Sequence, residues 1–292
     1  MTATVLSGKE LAKTMRAEIS EEVSGFMARH RVVPTIAVVR AGEDPASARY
    51  AKTIEKAFGG QGMGFALHTL PETATQDEIV ALVAKLNADD TVHGIMIQEP
   101  LPKGIDEAAI KDALSPGKDA DGVHPVNAGR LSQVAPVGRP PMVGPFLVPA
   151  TPAGGMEILK RHGVEIEGKH AVIVGRSSIV GKPMALLLLR ENATVTVCHS
   201  RTKDLASVCR SADILCAAVG RARMIKSGWV KPGAVVIDFG FNFVDGQACG
   251  DVDFEAVKET AGMVTPVPGG TGPMTNVMLM RNVLEAAKRQ VD

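Results

Sequence analysis

The stretch Ala171–Arg190, AVIVGRSSIVGKPMALLLLR, decides how the chain is read. Ala171 to Val174 is a short run of β-favouring and small residues that stops at Gly175, the pattern of a buried parallel strand. Met184 to Arg190 is rich in strong helix formers. Between the two runs Gly175 and Gly181 permit a tight turn, and Pro183 suits the first turn of a helix because it has no N–H to leave unpaired. The stretch reads as strand, glycine turn and helix. Backbone N–H groups at such a helix start can hold a phosphate, which makes Gly175, Arg176, Ser177, Ile179, Val180, Gly181 and Pro183 a candidate pyrophosphate cradle. The spacing is not G-x-G-x-x-G, so this stretch alone leaves an ordinary strand-turn-helix equally open.

The next segment narrows the choice. Asn192 to Cys198 is β-rich and falls where the second strand of a nucleotide-binding βαβ unit belongs. An NAD site places an Asp or Glu at the end of that strand for the ribose hydroxyls. Here His199, Ser200, Arg201 and Thr202 follow, with no acid before Asp204. Cationic and hydroxyl groups suit a 2′-phosphate that a carboxylate would repel, so the residues point to NADP.

At 292 residues the chain is long enough for two domains. Its 32 basic and 32 acidic residues cancel, and nothing in that balance points to nucleic acid or to an anionic membrane. The four cysteines, Cys198, Cys209, Cys216 and Cys249, match no zinc or redox spacing and read as reduced thiols. The seven histidines form no ligand cluster, so no metal is expected. No basic start leads into an apolar run, and no apolar stretch reaches about 18 residues. A cytoplasmic protein without an anchor is the expectation.

Elsewhere strands and helices alternate. Leu11, Met15, Ile19, Val23 and Met27 recur every four residues, the apolar face of an amphipathic helix. Pro34 to Arg40 reads as a buried strand, Arg49 to Phe58 and Gln76 to Asn87 as helices, and Val92 to Gln98 as another strand. After a Pro- and Gly-rich boundary at 134–152 come a short helix at Ala153 to His162 and the nucleotide unit. The strands Asp213 to Val219 and Ala234 to Asp238, the loop Thr265 to Pro273 and a helix from Met274 to Lys288 complete the chain. This alternation predicts an α/β fold with a mainly parallel sheet.

Five motifs, in order, carry a resemblance over nearly the whole chain. They are Asp44-Pro-Ala-Ser47 with Tyr50, Gln98-Glu-Pro-Leu-Pro102, Lys118-Asp-Ala-Asp-Gly122, Gly175 to Pro183, and Pro266-Val-Pro-Gly-Gly-Thr-Gly-Pro-Met-Thr275. The chain resembles the methylenetetrahydrofolate dehydrogenase/cyclohydrolase family, the bifunctional folate enzymes of one-carbon metabolism. The resemblance implies two domains around a cleft: a folate-binding catalytic domain of residues 1–147 plus 274–292, and a Rossmann-type NADP-binding domain of residues 148–273. It implies a homodimer built through the cofactor domain. The implied reaction oxidises 5,10-methylenetetrahydrofolate to the 5,10-methenyl form, with hydride passing to NADP. By resemblance Tyr50 stacks on the folate and Asp121 hydrogen-bonds the pterin, while Gln98, Pro100, Leu101, Pro268, Gly269 and Gly270 line the substrate site. Thr275 joins His199, Ser200, Arg201 and the glycine turn in holding the cofactor.

One position departs from the family pattern. A lysine four residues after the tyrosine, oriented by the glutamine, drives the cyclohydrolase step in the family, the hydrolysis of the methenyl ring to 10-formyltetrahydrofolate. This chain has Ile54 there. At about 100° per residue, Lys52 points roughly 200° and Lys56 roughly 120° away from Tyr50, so neither replaces it. Proton-transfer groups typically contribute about 10²–10⁴-fold, and isoleucine has none. A dehydrogenase with weak or absent cyclohydrolase is therefore expected, with the fully bifunctional enzyme as the alternative. Glu99 is a second departure, in place of an apolar residue, and is expected to face solvent. A different two-domain NADP oxidoreductase, such as one resembling shikimate dehydrogenase, would share the glycine turn but not the set of Tyr50, Gln98 and Asp121.

Overall fold

A computed structural model of the chain describes residues 2–139 and 144–291. Residues 140–143 of the Pro- and Gly-rich stretch lie outside the described residues. In chain order the elements are β1 (Thr4–Val5), α1 (Gly8–His30), β2 (Thr35–Ala41), α2 (Pro45–Gly59), β3 (Gly64–Leu70), α3 (Gln76–Asn87), β4 (Gly94–Ile97), α4 (Glu107–Ala113) and α5 (Pro125–Ser132). After them come α6 (Ala150–Arg161), β5 (His170–Val174), α7 (Gly181–Arg190), β6 (Thr194–Cys198), α8 (Leu205–Arg210), β7 (Ile214–Ala217) and β8 (Val235–Asp238). The chain closes with β9 (Asn242–Val244), β10 (Gln247–Cys249), α9 (Phe254–Val257), β11 (Met263–Val264) and α10 (Thr271–Val291). The fold is α/β, with two compact units.

The first unit holds residues 14–130 and 145–150 and the described part of 276–292. Its sheet has the order β3-β2-β4, all parallel. Ile36 to Val39 of the central strand are fully buried, the continuous apolar run of a strand covered on both faces. Val39, Ile79, Val83, Leu86, Ile95 and Ile110 form one cluster against it. Helix α3 starts on a capping box. The Glu78 N–H donates to Thr75 Oγ1 at 3.3 Å, and the Thr75 N–H donates to Glu78 Oε2 at 2.7 Å.

The second unit holds the described parts of residues 1–13, 131–144 and 151–275. Sequence order alone placed the first two of those segments in the folate domain. The pairing of Thr4 and Val5 with Met263 and Val264 ties the N-terminus to this unit instead. Its six strands run in the order β1-β11-β8-β7-β5-β6, all parallel. Strand β5 lies between β6 and β7, so the connection reverses direction there. That reversal opens a crevice beyond the carboxyl ends of the strands, the place where open α/β sheets bind ligands.

Several elements differ from the sequence expectation. Strand β3 carries His68 and Thr69 and lies at a sheet edge, so its apolar signal is weak. The hairpin β9-β10 turns at Asp245 and Gly246, both at positive φ, a two-residue Asp-Gly turn legible in the sequence but not read there. Helix α10 starts at Thr271, inside the segment expected to be loop, and α6 starts at Ala150 rather than Ala153. The four cysteines are free and buried. Burial pushes the thiols of Cys209 and Cys216 up to about 12, which keeps them unreactive. Among the described residues no helix is long and apolar enough to cross a membrane, and no group of three metal-ligating side chains gathers.

Candidate functional site

Of the folate-type residues, Tyr50, Gln98, Pro100, Leu101 and Asp121 lie on the three-stranded unit, and helix α2 presents the first of them. Asp44 caps that helix, its Oδ1 accepting the Ser47 N–H at 2.7 Å, and Pro45 occupies the first turn. The Ser47 N–H holds the Asp44 carboxyl below the usual range. Ser47, Ala51, Ile54 and Phe58 are the buried stripe, spaced by four, three and four residues. Ile54 and Phe58 are fully enclosed, each contributing about 1.5–3 kcal/mol of apolar burial. Tyr50 sits beside this stripe, half-buried. Burial first, and then the charge of Asp121, push its hydroxyl above the ordinary tyrosine range. Lys52 and Lys56 are both exposed on the outer side of the helix.

Gln98 follows β4 and is 3% exposed. Its Nε2 donates to the Ser47 carbonyl at 3.1 Å, and Ser47 Oγ donates back to the Glu99 carbonyl at 3.0 Å. Two hydrogen bonds thus clamp this loop to the first turn of α2. Gln98 Oε1 is buried and has no partner. Glu99 departs from its expectation in part: its side chain is half-exposed, but Lys111 Nζ holds it at 2.9 Å and its charge reaches Asp121. Pro100 is exposed, and Leu101 packs partly buried on the apolar cluster of the unit.

The loop carrying Asp121 is fixed on both sides. Lys118 Nζ donates to the Asp89 carbonyl at 2.7 Å and the Leu86 carbonyl at 3.3 Å, closing the end of α3. Asp119 Oδ2 accepts the His124 N–H and Asn127 Nδ2, both at 2.8 Å. Asn282 Nδ2 donates to the Ala120 carbonyl at 2.8 Å. Gly122 has φ +70, and a Cβ there would collide with the Val148 backbone. Burial, then the neighbouring charges of Asp119 and Glu99, push the Asp121 carboxyl up to about 7, against a smaller opposing pull from Lys111.

On the six-stranded sheet the glycine turn follows β5 as expected. The Gly175 N–H donates to the Cys198 carbonyl at 2.9 Å, joining the ends of β5 and β6. A Cβ on Gly181 would meet the Gly175 carbonyl, so the two glycines let helix and turn approach closely. One detail corrects the cradle. The N–H groups of Val180 and Gly181 already donate to Ser177 Oγ, at 3.1 and 3.2 Å. Arg176, Ser177, Ser178 and Ile179 are exposed, while Pro183 is buried in the first turn of α7. After β6 the His199 N–H donates to Thr202 Oγ1 at 2.9 Å and the Arg201 N–H to His199 Nδ1 at 3.1 Å, leaving Ser200 and Arg201 exposed. Nothing acidic stands on that turn, so its donors fit a phosphate.

Two family models match the chain: the catalytic domain of tetrahydrofolate dehydrogenase/cyclohydrolase over residues 6–121, and its NAD(P)-binding domain over residues 149–291. The chain belongs to this family. The bifunctional protein FolD of Roseiflexus sp. (strain RS-1) is 52% identical over 292 residues, covering 100% of this chain and 98% of that protein. The crystal structure of FolD from Campylobacter jejuni is 41% identical with a TM-score of 0.93, covering 98% of this chain and 99% of that one. The Trypanosoma brucei enzyme, complexed with NADP cofactor and inhibitor, is 37% identical with a TM-score of 0.92, covering 100% and 99%.

For this member of the tetrahydrofolate dehydrogenase/cyclohydrolase family, motif reading missed a buried carboxylate pair beside the cofactor-type turn. Asp251 is fully buried and accepts the N–H groups of Val219, Gly220 and Arg221 at 2.6, 2.9 and 2.8 Å. Asp238 in turn accepts the N–H groups of Gly240, Asp251 and Val252. Together they fix the loop after β7 to the end of β8. Two isolated acids on strand ends gave no signal in sequence. Pro268, Gly269 and Gly270 belong to this same unit. Gly269 has φ +103, and its carbonyl accepts the Lys9 N–H at 2.9 Å. Thr275 Oγ1 donates to Thr151 Oγ1 at 3.2 Å, so its hydroxyl has a partner within the protein.

Proposed function

We propose that the chain oxidises 5,10-methylenetetrahydrofolate to 5,10-methenyltetrahydrofolate in one-carbon metabolism, and leaves the methenyl ring intact. NADP supplies the hydride acceptor when bound. The chain's own work is positioning, because hydride leaves a carbon flanked by two nitrogens whose lone pairs stabilise the cation. Tyr50 offers the folate an aromatic face, and Asp121 accepts from the pterin donors. Gln98, Pro100 and Leu101 extend that surface on the three-stranded unit, and the family resemblance adds Pro268, Gly269 and Gly270 as substrate-binding residues. Gly175 to Pro183 takes the pyrophosphate, largely through the exposed side chains of Arg176 and Ser177, since the N–H groups of Val180 and Gly181 are engaged locally. His199, Ser200 and Arg201 take the adenosine 2′-phosphate and ribose side, and Thr275 also serves the cofactor. We take the protein to act in the cytoplasm as a homodimer.

Ile54 carries the loss of hydrolysis. It is 0% exposed on the buried stripe of α2, where the family has its lysine, and the acceptor that would orient that lysine, Gln98 Oε1, is enclosed without a donor. The other lysines of the helix face solvent. The bifunctional names of the relatives favour the second reading, in which another group supplies the proton transfers. Adding methenyltetrahydrofolate alone to the protein decides: decay at the buffer rate supports the loss, and enzyme-dependent decay supports bifunctionality.

A further inference from the structure

We propose that Asp251 is a positioning residue of the cofactor site: its carboxylate turns the main-chain carbonyls of Ala218, Val219 and Gly220 towards the glycine turn, as acceptors for the carboxamide NH2 of the cofactor's nicotinamide. The inference rests on the NADP reading of the six-stranded unit and adds a residue to it.

A trans peptide is planar, and its C=O points opposite to its N–H. Asp251 Oδ2 accepts the N–H groups of Val219 and Gly220 at 2.6 and 2.9 Å, and its Oδ1 accepts that of Arg221 at 2.8 Å. Gly220, at φ +63, lets these successive N–H groups converge on one anion. The carbonyls of the same three peptides belong to Ala218, Val219 and Gly220, so all three are directed away from Asp251. One contact fixes the side they face: a Cβ on Gly175 would strike the Ala218 carbonyl oxygen. The Ala218 N–H donates to the Val174 carbonyl at 2.8 Å, which ties the segment to the end of β5. Among the described residues none of the three carbonyls accepts a hydrogen bond, whereas the next one, of Arg221, accepts the Met224 N–H at 3.3 Å.

Strand order selects the occupant. Strands β6, β5 and β7 are neighbours in that order. Arg201 beyond β6 suits the adenosine 2′-phosphate and the turn beyond β5 suits the pyrophosphate, so the nicotinamide end of the dinucleotide falls beyond β7. Its carboxamide carries two N–H donors, which a row of carbonyls matches. Asp251 is itself fixed. It is fully buried, its N–H donates to Asp238 Oδ1 at 3.0 Å, and Asn242 Nδ2 donates to its Oδ1 at 3.0 Å. A fixed anion therefore sets the direction of the three peptides.

Equilibrium dialysis on the full-length protein compares three ligands. They are NADP, its 3-acetylpyridine analogue, which keeps the carbonyl on the ring but has a methyl group for the NH2, and adenosine 2′,5′-bisphosphate, which has no nicotinamide half. The unmodified protein is expected to bind NADP about three- to tenfold more tightly than the analogue, the effect of one hydrogen bond. Asp251→Asn keeps one acceptor oxygen and sets an amide NH2 against part of the same N–H groups. It is expected to weaken NADP by about that factor and to leave the analogue and the bisphosphate within about twofold. Equal affinity of the unmodified protein for NADP and the analogue, unchanged NADP binding in Asp251→Asn, or an equal loss for both overturns the proposal. Failure of the unmodified protein to bind the bisphosphate overturns the NADP reading itself, and this inference with it.

Discussion

Gln98 meets Ser47 through one hydrogen bond, Nε2 to the main-chain carbonyl at 3.1 Å, and its Oε1, equally enclosed, accepts nothing. A buried acceptor without a donor costs about 1–3 kcal/mol. Under the proposed function this free acceptor is the one that would orient the lysine the family resemblance implies at the position of Ile54.

Ile54→Lys should therefore create hydrolysis. The ammonium would enter a fully enclosed position, where desolvation lowers its pKa towards neutrality, and Gln98 Oε1 would accept from it. Methenyltetrahydrofolate decay is expected to accelerate about 10²–10⁴-fold over the unmodified protein, with a lowered melting temperature from the buried amine. Unchanged decay in a folded variant would remove Ile54 from the explanation.

On the proposed function, Asp121 is expected to make folate use pH-dependent. Its carboxyl titrates at about 7 in the folded protein, and the pterin donors need the ionised form. The kcat/KM for folate should rise with pH through about 7, and Asp121→Asn should flatten that limb while lowering kcat/KM about tenfold or more. Stability moves the other way. The folded state holds this proton more tightly than the unfolded chain, so its contribution falls as pH rises from about 4 to about 7. Asp121→Asn should accordingly gain melting temperature relative to the unmodified protein at pH 8, and not at pH 4.

Arg201 stands exposed on a turn without acids, after β6. Arg201→Ser should raise KM for NADP about tenfold or more and leave KM for NAD nearly unchanged, since only the former carries a 2′-phosphate. Equal losses for both cofactors would place Arg201 elsewhere.

Asp251 supports three backbone N–H groups from full burial. Asp251→Ala should lower stability by about 3–5 kcal/mol, measured by denaturant titration, because each abandoned donor costs about 1–3 kcal/mol and the loop relaxes only in part.

The two pieces of chemistry-bearing sequence were legible for different reasons. Gly175 and Gly181 are demanded by close backbone approach, and close approach leaves its mark as glycine. Ile54 stood out because the family resemblance implies a lysine four residues after Tyr50, and the buried stripe of α2 includes that position. Sequence could not reveal that Ser177 Oγ occupies the N–H groups of Val180 and Gly181, because a local hydrogen bond of that kind carries no periodicity. Glu99 was read as a solvent residue since its partner Lys111 lies twelve positions away, on α4. The strands β1 and β11 were missed because two residues apiece are too short for any pattern.

The most direct measurement follows NADPH and methenyltetrahydrofolate together as the protein turns over methylenetetrahydrofolate with NADP. The account predicts equal amounts of both, with methenyl persisting at its rate of loss in buffer. NADPH formation with methenyl consumed faster than buffer allows would contradict it.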